Sequence, residues 1–307
     1  MKVYLVSILF TVLVGFSFIF AKIGVSESSP LILATYRFNI AMITVLIALA
    51  LGAVKIDLEG KKIKKVISVA IYYGAFILLQ AIGFLYATSV ESGIIFATIP
   101  IITMIIASFM LKEHTNTIQK LFVVMSVSGV VTMIIMTANN NVGDTKTNLI
   151  GVLIILLSSV SLSISNIITR KIRAEFTPSE ISFIIVTICF VLLNIIFIGV
   201  SLKNGTLSEY FDPLFNKKFL IAAIYLGVTC TFLTSLLISY MLAHMEAYKA
   251  TLFGNVSTAI AIIAGVFIAK EPFFTYHLVG TSLIIVGVIG TTFYSKKKNV
   301  EKNIELK

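Results

Sequence analysis

Charged side chains are scarce in this sequence. Only 12% of its 307 residues are Asp, Glu, Lys or Arg, whereas 58% are hydrophobic and the mean hydropathy is +1.03. A soluble domain needs many more polar side chains to cover its surface. The scarcity of charge therefore excludes an ordinary soluble protein and indicates a chain that lies within a lipid bilayer.

Cysteine and the common catalytic motifs are also rare or missing. The two cysteines, Cys189 and Cys230, lie in apolar runs without the spacing of a metal or redox site, so we expect small core side chains and neither metal nor cofactor. HExxH, G-x-S-x-G and G-x-G-x-x-G are absent from the sequence. The short GFSF stretch at 15–18 has no histidine at mid-membrane depth to activate its serine. We therefore do not expect an enzyme.

Long apolar runs are what the sequence has in abundance. Runs of about 17 to 25 residues have the length of a helix that crosses roughly 30 Å of hydrocarbon, whereas strands of a membrane barrel are shorter and alternate in polarity. The first run is too long for a signal peptide and lacks a cleavage pattern, so we interpret it as a span. The prediction is an all-α integral membrane protein with ten transmembrane helices, at about 3–21, 31–53, 66–88, 92–111, 118–138, 149–169, 181–202, 218–242, 248–269 and 274–294.

The distribution of the net charge of +10 predicts the orientation. With the amino terminus inside, 17 Lys and Arg residues fall in inside loops and tails and 6 in outside loops. The positive-inside rule then places both termini in the cytoplasm. The basic runs KKIKK at 61–65 and SKKKN at 295–299 indicate contacts with anionic phospholipids, and we expect no nucleic-acid partner.

The two halves of the chain resemble each other. Lys112-Glu113 and Lys270-Glu271 are 158 positions apart, and the same offset aligns Gly129 with Gly287. An offset of 148 aligns Lys22 with Arg170 and Pro30 with Pro178. Because each half would hold five spans, an odd number, the second half must enter the membrane from the opposite side as an inverted repeat. The predicted units are a first five-helix repeat at 1–138, a polar linker at 139–148, a second repeat at 149–295 and a basic cytoplasmic tail at 296–307.

The repeated Lys-Glu pairs have a local explanation. Each glutamate comes just before a predicted helix, whose amino terminus carries a partial positive charge that attracts a carboxylate. Thr115 can also cap the helix that follows the first pair. A gating role for Glu113 and Glu271 in transport is the alternative interpretation.

These features together resemble a known family. Ten spans in two halves of five, Arg37 after Pro30, Pro100 followed by Glu113, and the second glutamate at Glu271 are similar to the EamA-type proteins of the drug/metabolite transporter superfamily. The resemblance covers essentially the whole chain. It implies alternating access in a bacterial inner (plasma) membrane, with a central cavity lined by spans 1, 3, 4, 6, 8 and 9.

Polar side chains within those spans are the candidates for substrate binding. A polar group in hydrocarbon is costly, so it faces either a cavity or a partner helix, and each candidate alone is also compatible with a helix-helix hydrogen bond. The candidates are Ser17, Gln80, Thr98, Asn166, Tyr240 and Asn255. The predicted function is transport of small organic metabolites, with export of amino acids or related compounds. The alternative is an importer or facilitator of another polar metabolite, such as a nucleoside or vitamin. The expected partners are the substrate and membrane lipids, for a monomer or homodimer.

Three further expectations concern single residues. The predicted spans contain no Asp or Glu, which favours facilitated diffusion, or coupling through the charge of the substrate, over proton or Na⁺ coupling. Arg37 lies close to the outer end of span 2, where it could snorkel outward as an anchor. Pro100 should bend span 4, whereas Thr258 occupies the corresponding position in span 9.

Overall fold

The computed structural model describes residues 2–61, 63–110, 117–139, 145–172, 175–244 and 247–305. Lys112, Glu113 and Thr115 lie outside the described residues. All regular elements in the described part of the chain are helical. Each predicted span coincides with one helix or with a short run of helices.

The first half of the chain forms six helices. They are α1 (Lys2–Glu27), α2 (Pro30–Ala50), α3 (Lys64–Tyr86), α4 (Ser89–Phe96), α5 (Ile99–Met110) and α6 (Thr117–Asn139).

The second half forms six α-helices, a π-helical segment and two short 3₁₀ turns. They are α7 (Thr145–Ile172), α8 (Pro178–Asn204), the turns Leu207–Tyr210 and Asp212–Phe215, α9 (Lys217–Ile224), the π-segment (Tyr225–Leu233), α10 (Thr234–His244), α11 (Ala247–Phe267) and α12 (Thr275–Glu305).

Helix length and composition fit a protein that crosses the membrane several times. Among the described residues, seven helices or helix runs are long and apolar enough to cross a bilayer, and three further apolar helices are shorter. The seven are Lys2–Glu27, Pro30–Ala50, Lys64–Tyr86, Ser89–Met110, Leu149–Thr169, Ser179–Asn204 and Lys217–Ile238; the three are Thr117–Thr132, Val256–Phe267 and Thr275–Gly290.

Local sequence explains where several helices begin. Proline is tolerated in the first helical turn, where its missing N–H would have no partner. Ser29 accepts a hydrogen bond from the Ile32 N–H ahead of Pro30. Thr177 forms a capping box with Glu180 ahead of Pro178. The two helix starts therefore use the same serine or threonine and proline signal, 148 positions apart.

The helix containing Pro100 is interrupted, as the sequence predicts. α4 ends at Phe96, and α5 resumes at Ile99 with proline in its first turn. The helix α11, in contrast, is continuous from Ala247 to Phe267 with Thr258 at the aligned position. A proline on one side alone therefore gives the two halves different shapes.

Several helix ends differ from the sequence-based boundaries, among them those of α6, α7 and α12. α6 continues to Asn139 and α7 already begins at Thr145, so the stretch that could act as a linker is shorter than 139–148, and its centre lies outside the described residues. α12 continues to Glu305 through the predicted tail. Polar composition alone did not end these helices, because Asn, Lys and Glu are all tolerated in an exposed helix.

Glycines allow close contacts between α6 and α12, and these contacts are reciprocal. A methyl group on Gly129 would lie 2.8 Å from the Gly280 carbonyl oxygen, and one on Gly287 would lie 2.6 Å from the Phe122 carbonyl oxygen. Gly280 and Phe122 are themselves 158 positions apart, the offset that aligns the two glycines. The same pair of aligned positions is therefore in contact twice: the glycine comes from α6 in one contact and from α12 in the other.

Candidate functional site

Gln80 lies on the interior face of α3. Its side chain is 8% exposed, and Phe76 and Phe84, one turn away on either side, are also buried. The Gln80 amide makes no hydrogen bond to the part of the chain that the structure describes. An amide without a partner in an apolar interior is costly, so this side chain is available to a polar ligand.

Aromatic rings surround this part of the interior. Phe18 contacts Phe84 and Phe96 with ring centroids 6.3 and 5.3 Å apart, and Phe76 contacts Phe96 at 5.9 Å. α1, α3 and α4 are thus joined through these four rings. They form an apolar wall beside Gln80.

Thr98 occupies the break between α4 and α5. It is buried, and its hydroxyl donates to the Ile95 carbonyl at 2.6 Å. Ser163 of α7 donates to the Ile99 carbonyl at 3.5 Å. Hydroxyl groups therefore compensate part of the helical hydrogen bonding around the break.

Asn166 indicates an accessible interior. It lies seven residues after Ser159 and three after Ser163, on the same face of α7, and both serines are fully buried. Leu157, nine residues before Asn166 and hence on the opposite face, is 54% exposed, as expected of a side chain that faces lipid. Asn166 is nevertheless exposed. An exposed side chain on the buried face of a helix indicates that the neighbouring helices do not cover this position.

The remaining sequence-predicted residues occupy separate places. Ser17 is half-buried, and its hydroxyl donates to the Val14 carbonyl at 2.6 Å. It also lies beside the thiol of Cys230. Tyr240 on α10 is 37% exposed. Asn255 is part of α11, but its side chain lies outside what the structure describes. The roles of the six predicted residues in substrate binding stay predictions.

Arg37 is the side chain whose position the sequence-based interpretation got wrong. Instead of snorkelling outward, it is 7% exposed, and its Nε donates to the Thr231 hydroxyl at 2.9 Å. The Tyr73 hydroxyl and the thiols of Cys189 and Cys230 lie close to the guanidinium. Arg37 is held inward because acceptors from α3 and the π-segment surround it.

The π-segment brings Thr231 into position. Its hydroxyl donates to the Leu226 carbonyl five residues earlier, at 3.0 Å, and so stabilises the wider helical turn. Gly227 lets α2 approach closely, since a methyl group there would lie 2.8 Å from the Arg37 carbonyl oxygen. Segments of π-helix are frequent at functional sites. The sequence contains no clear signal for this one.

A second group of polar residues ties together the ends of α1, α3, α4 and α11. We call Lys22, Glu91 and Glu271 the Lys22 cluster. Lys22 donates to the carbonyls of Phe84 and Ala87 at 2.5 and 2.6 Å, at the carboxyl end of α3. The carboxylates of Glu91 and Glu271 contribute attractive electrostatic interactions with Lys22.

Glu271 binds the amino terminus of a helix, but not the helix that follows it in sequence. Its two carboxylate oxygens accept from the N–H groups of Ser89 and Val90 at 2.9 Å each, at the start of α4. Lys270 adopts a left-handed conformation with φ of 53°, which closes α11 and turns the chain. The expected carboxylate–helix attraction is therefore present, but it acts between the halves of the chain.

Glu91 corrects the expectation that the spans contain no acidic residue. It lies in the first turn of α4, within the candidate span Ser89–Met110, and is 2% exposed. Its carboxylate accepts from the N–H and the hydroxyl of Thr88 at 2.8 and 3.0 Å. Glu180 is similarly buried in a capping box at the start of α8. Both carboxylates cap helices at span ends.

The other conspicuous polar pair in the spans is structural. Asn194 donates to Asn39 at 2.7 Å, and Asn39 donates to the Tyr210 hydroxyl at 2.6 Å. Tyr210 lies in a 3₁₀ turn outside the spans, and burial raises the pKa of its hydroxyl. These groups satisfy one another and fasten α2 to α8. Within the described residues, no group of three His, Cys, Asp or Glu side chains could hold a metal ion.

The apolar helices, the polar groups on their inner faces and the comparisons with known proteins define the class as a membrane transporter. The chain belongs to the EamA-like transporter family, whose family model matches residues 1–135 and 149–293. This confirms the resemblance to EamA-type drug/metabolite transporters that the sequence suggested, and the family indicates transport rather than catalysis.

Individual relatives agree with this assignment over the full length. The chain is 36% identical to the uncharacterized transporter YcxC of Bacillus subtilis (strain 168), over 96% of this chain and 94% of the relative. It is 22% identical to an uncharacterized transporter of Archaeoglobus fulgidus, over 94% and 98%. A crystal structure aligns with a TM-score of 0.61 and 13% identity over 96% of this chain and 98% of the other, which supports the fold alone.

Proposed function

We propose that this protein transports small organic metabolites by alternating access across the inner (plasma) membrane, and that it exports amino acids or related compounds. The observation that carries the proposal is the exposed Asn166 on the buried face of α7. Together with the unpartnered amide of Gln80, it supports a polar space inside an otherwise apolar helix bundle. Such a space is needed to carry a polar solute through hydrocarbon.

The two ends of the bundle differ, which supports alternating access. The Lys22 cluster connects α1 to the carboxyl end of α3, and the segment after α11 to the start of α4. The opposite end of α3 lies roughly 34 Å away along its 23 residues, where Lys65 pairs with Glu175 just after α7. Asn166 lies near this second end. This difference supports an interior that opens towards the second end.

The internal repeat supports a ten-helix, inverted-repeat architecture for this mechanism. The reciprocal contacts of Gly129 and Gly287 follow the 158-residue offset. A second reciprocal contact joins α1 to α11 and α7 to α5. A methyl group on Gly15 would lie 3.0 Å from the Ser257 carbonyl oxygen, while Ser163 donates to that of Ile99. Gly15 and Ser163 are 148 positions apart, and Ile99 and Ser257 are 158 positions apart. Such paired contacts are expected of inverted repeats.

Transport without ion coupling is part of the proposal. Glu91 and Glu271 are the carboxylates of the Lys22 cluster, and both accept hydrogen bonds from backbone N–H groups at the start of α4. They are therefore already engaged in capping helices. A substrate gradient alone should then drive flux.

An efflux screen tests the function. In cells overexpressing the protein, extracellular pools of one or more amino acids should rise relative to cells that express the Gln80→Leu variant at equal membrane abundance. Liposomes containing purified protein and the substrate so identified should show flux down its gradient, and none when only a pH or Na⁺ gradient is imposed. Unchanged extracellular pools for every small metabolite would contradict the proposed function.

A further inference from the structure

Arg37 is a buried positive charge at a depth where charge is expensive. It lies seven residues after the start of α2 at Pro30, roughly 10 Å along the helix axis. Its side chain is 7% exposed and directed towards α3 and the π-segment. A charged group in this position normally pairs with an opposite charge or marks a substrate pathway.

The described part of the chain supplies no opposite charge to Arg37. The ion pairs formed there join Lys61 to Glu180, Lys65 to Glu175 and Lys218 to Glu27, all at helix ends or in loops. The groups around the guanidinium are the neutral Thr231, Tyr73, Cys189 and Cys230.

Neutral oxygens satisfy only part of this side chain. A guanidinium has five N–H donors in a planar fork. The Thr231 hydroxyl accepts a hydrogen bond from Nε, and the Tyr73 hydroxyl also forms a hydrogen bond with the guanidinium. The terminal nitrogens are the ones that form the paired, parallel hydrogen bonds to a carboxylate. Arg37 therefore has N–H donors without a partner among the described residues, and a carboxylate could accept from them.

We propose that Arg37 is the anion-binding group of the substrate site, and that it holds the carboxylate of an amino acid or related organic acid. This inference rests on the proposed function and specifies the class of substrate. Thr231 fixes the orientation of the guanidinium through Nε, and Tyr73 adds a second hydrogen bond, so the remaining N–H donors are left for the ligand. The cost of keeping Arg37 charged in the interior is offset while the substrate carboxylate is bound.

The test compares acids with their amides. Purified full-length protein in detergent is heated with each of the twenty amino acids and with short keto and hydroxy acids, in chloride and in methanesulfonate buffer. At least one carboxylate should raise the unfolding temperature in both buffers, whereas its carboxamide should not. Because this comparison uses the unmodified protein, it remains decisive even if substitutions at Arg37 prevent folding.

Matched variants locate the effect. Arg37→Gln should weaken the apparent affinity for the stabilising carboxylate by about tenfold or more, as for loss of a charged hydrogen-bond partner, and Arg37→Lys should retain part of it. Lys203→Gln removes the same charge from an exposed helix end and should leave the affinity unchanged.

Four results would overturn the inference: equal stabilisation by acid and amide, stabilisation by chloride alone, stabilisation by no carboxylate, or full affinity in Arg37→Gln. These failures differ from failure of the proposed function. If the proposed function were wrong, the efflux screen would show no transported metabolite at all. If only the anion site were wrong, transport would remain intact and would not depend on Arg37.

Discussion

Glu271 connects segments that lie 182 positions apart in the sequence. It accepts hydrogen bonds from Ser89 and Val90 at the amino terminus of α4, where the helix dipole favours negative charge. We predict that Glu271→Gln lowers the free energy of unfolding by about 1–3 kcal/mol, because a charged acceptor of two backbone N–H groups is replaced by a neutral one. Thermal or denaturant unfolding of the purified protein measures the effect.

Glu59→Gln is the control for this prediction. Glu59 is an exposed loop residue, and its substitution should change stability by less than about 0.5 kcal/mol. Equal effects of the two substitutions would mean that Glu271 contributes no more than a surface charge.

Single residues also mark the limit of sequence-based prediction. Caps such as those at Ser29 and Thr177 can be inferred from sequence, because their partner atoms lie within three residues of each other. The burial of Arg37 cannot be inferred in this way, because it depends on Thr231, 194 positions away, and on a π-helical turn without a sequence signature. The partner of Glu271 was missed for the same reason. Local hydrogen bonds can be inferred from spacing, but contacts between distant helices cannot.

At the scale of helices, α6 and α12 approach through glycine. A methyl group at position 287 would lie 2.6 Å from the Phe122 carbonyl oxygen and 2.9 Å from the Ser126 nitrogen, both backbone atoms. Gly287→Ala should therefore push the helices apart and destabilise the protein by about 1–3 kcal/mol, the usual cost of overpacking. The midpoint of thermal unfolding should fall accordingly.

Gly199 on α8 provides the matched substitution. Nothing lies within 4 Å of the position that a methyl group would occupy there. Gly199→Ala should be neutral or stabilising by up to about 1 kcal/mol, because alanine restricts the unfolded chain and favours helix. If Gly287→Ala behaved like Gly199→Ala, the close packing of α6 and α12 would not be important for stability.

Helix positions were more predictable than helix ends. Apolar runs located the helices because a lipid-facing helix must be hydrophobic over its whole length. The break at Pro100 followed from the missing N–H of proline. The ends of α6, α7 and α12 were not predicted, since polar residues beyond a span can either continue a helix or leave it. Of the candidate site, the interior positions of Gln80 and Thr98 followed from their place in apolar runs.

The orientation of the whole molecule is directly testable. The excess of Lys and Arg in alternate loops predicts cytoplasmic termini. A reporter that is active only outside the cytoplasm should be silent when fused after Lys307 and active when inserted within 139–148. Its insertion into the loop at 54–60, which the same rule places inside, is a second silent control. Activity after Lys307 and silence within 139–148 would reverse the orientation.

The reciprocal glycine contacts bear on the origin of the protein. Under the two-repeat architecture, Gly129 and Gly287 are copies of one ancestral position, and each packs against the residue seven places before the other. A single ancestral unit, inserted in both directions, could have made the same contact twice as an antiparallel homodimer. Gene duplication and fusion would then have preserved this interface while allowing each copy to change separately. Glu91, whose aligned counterpart is Lys249, exemplifies the divergence that fusion permits.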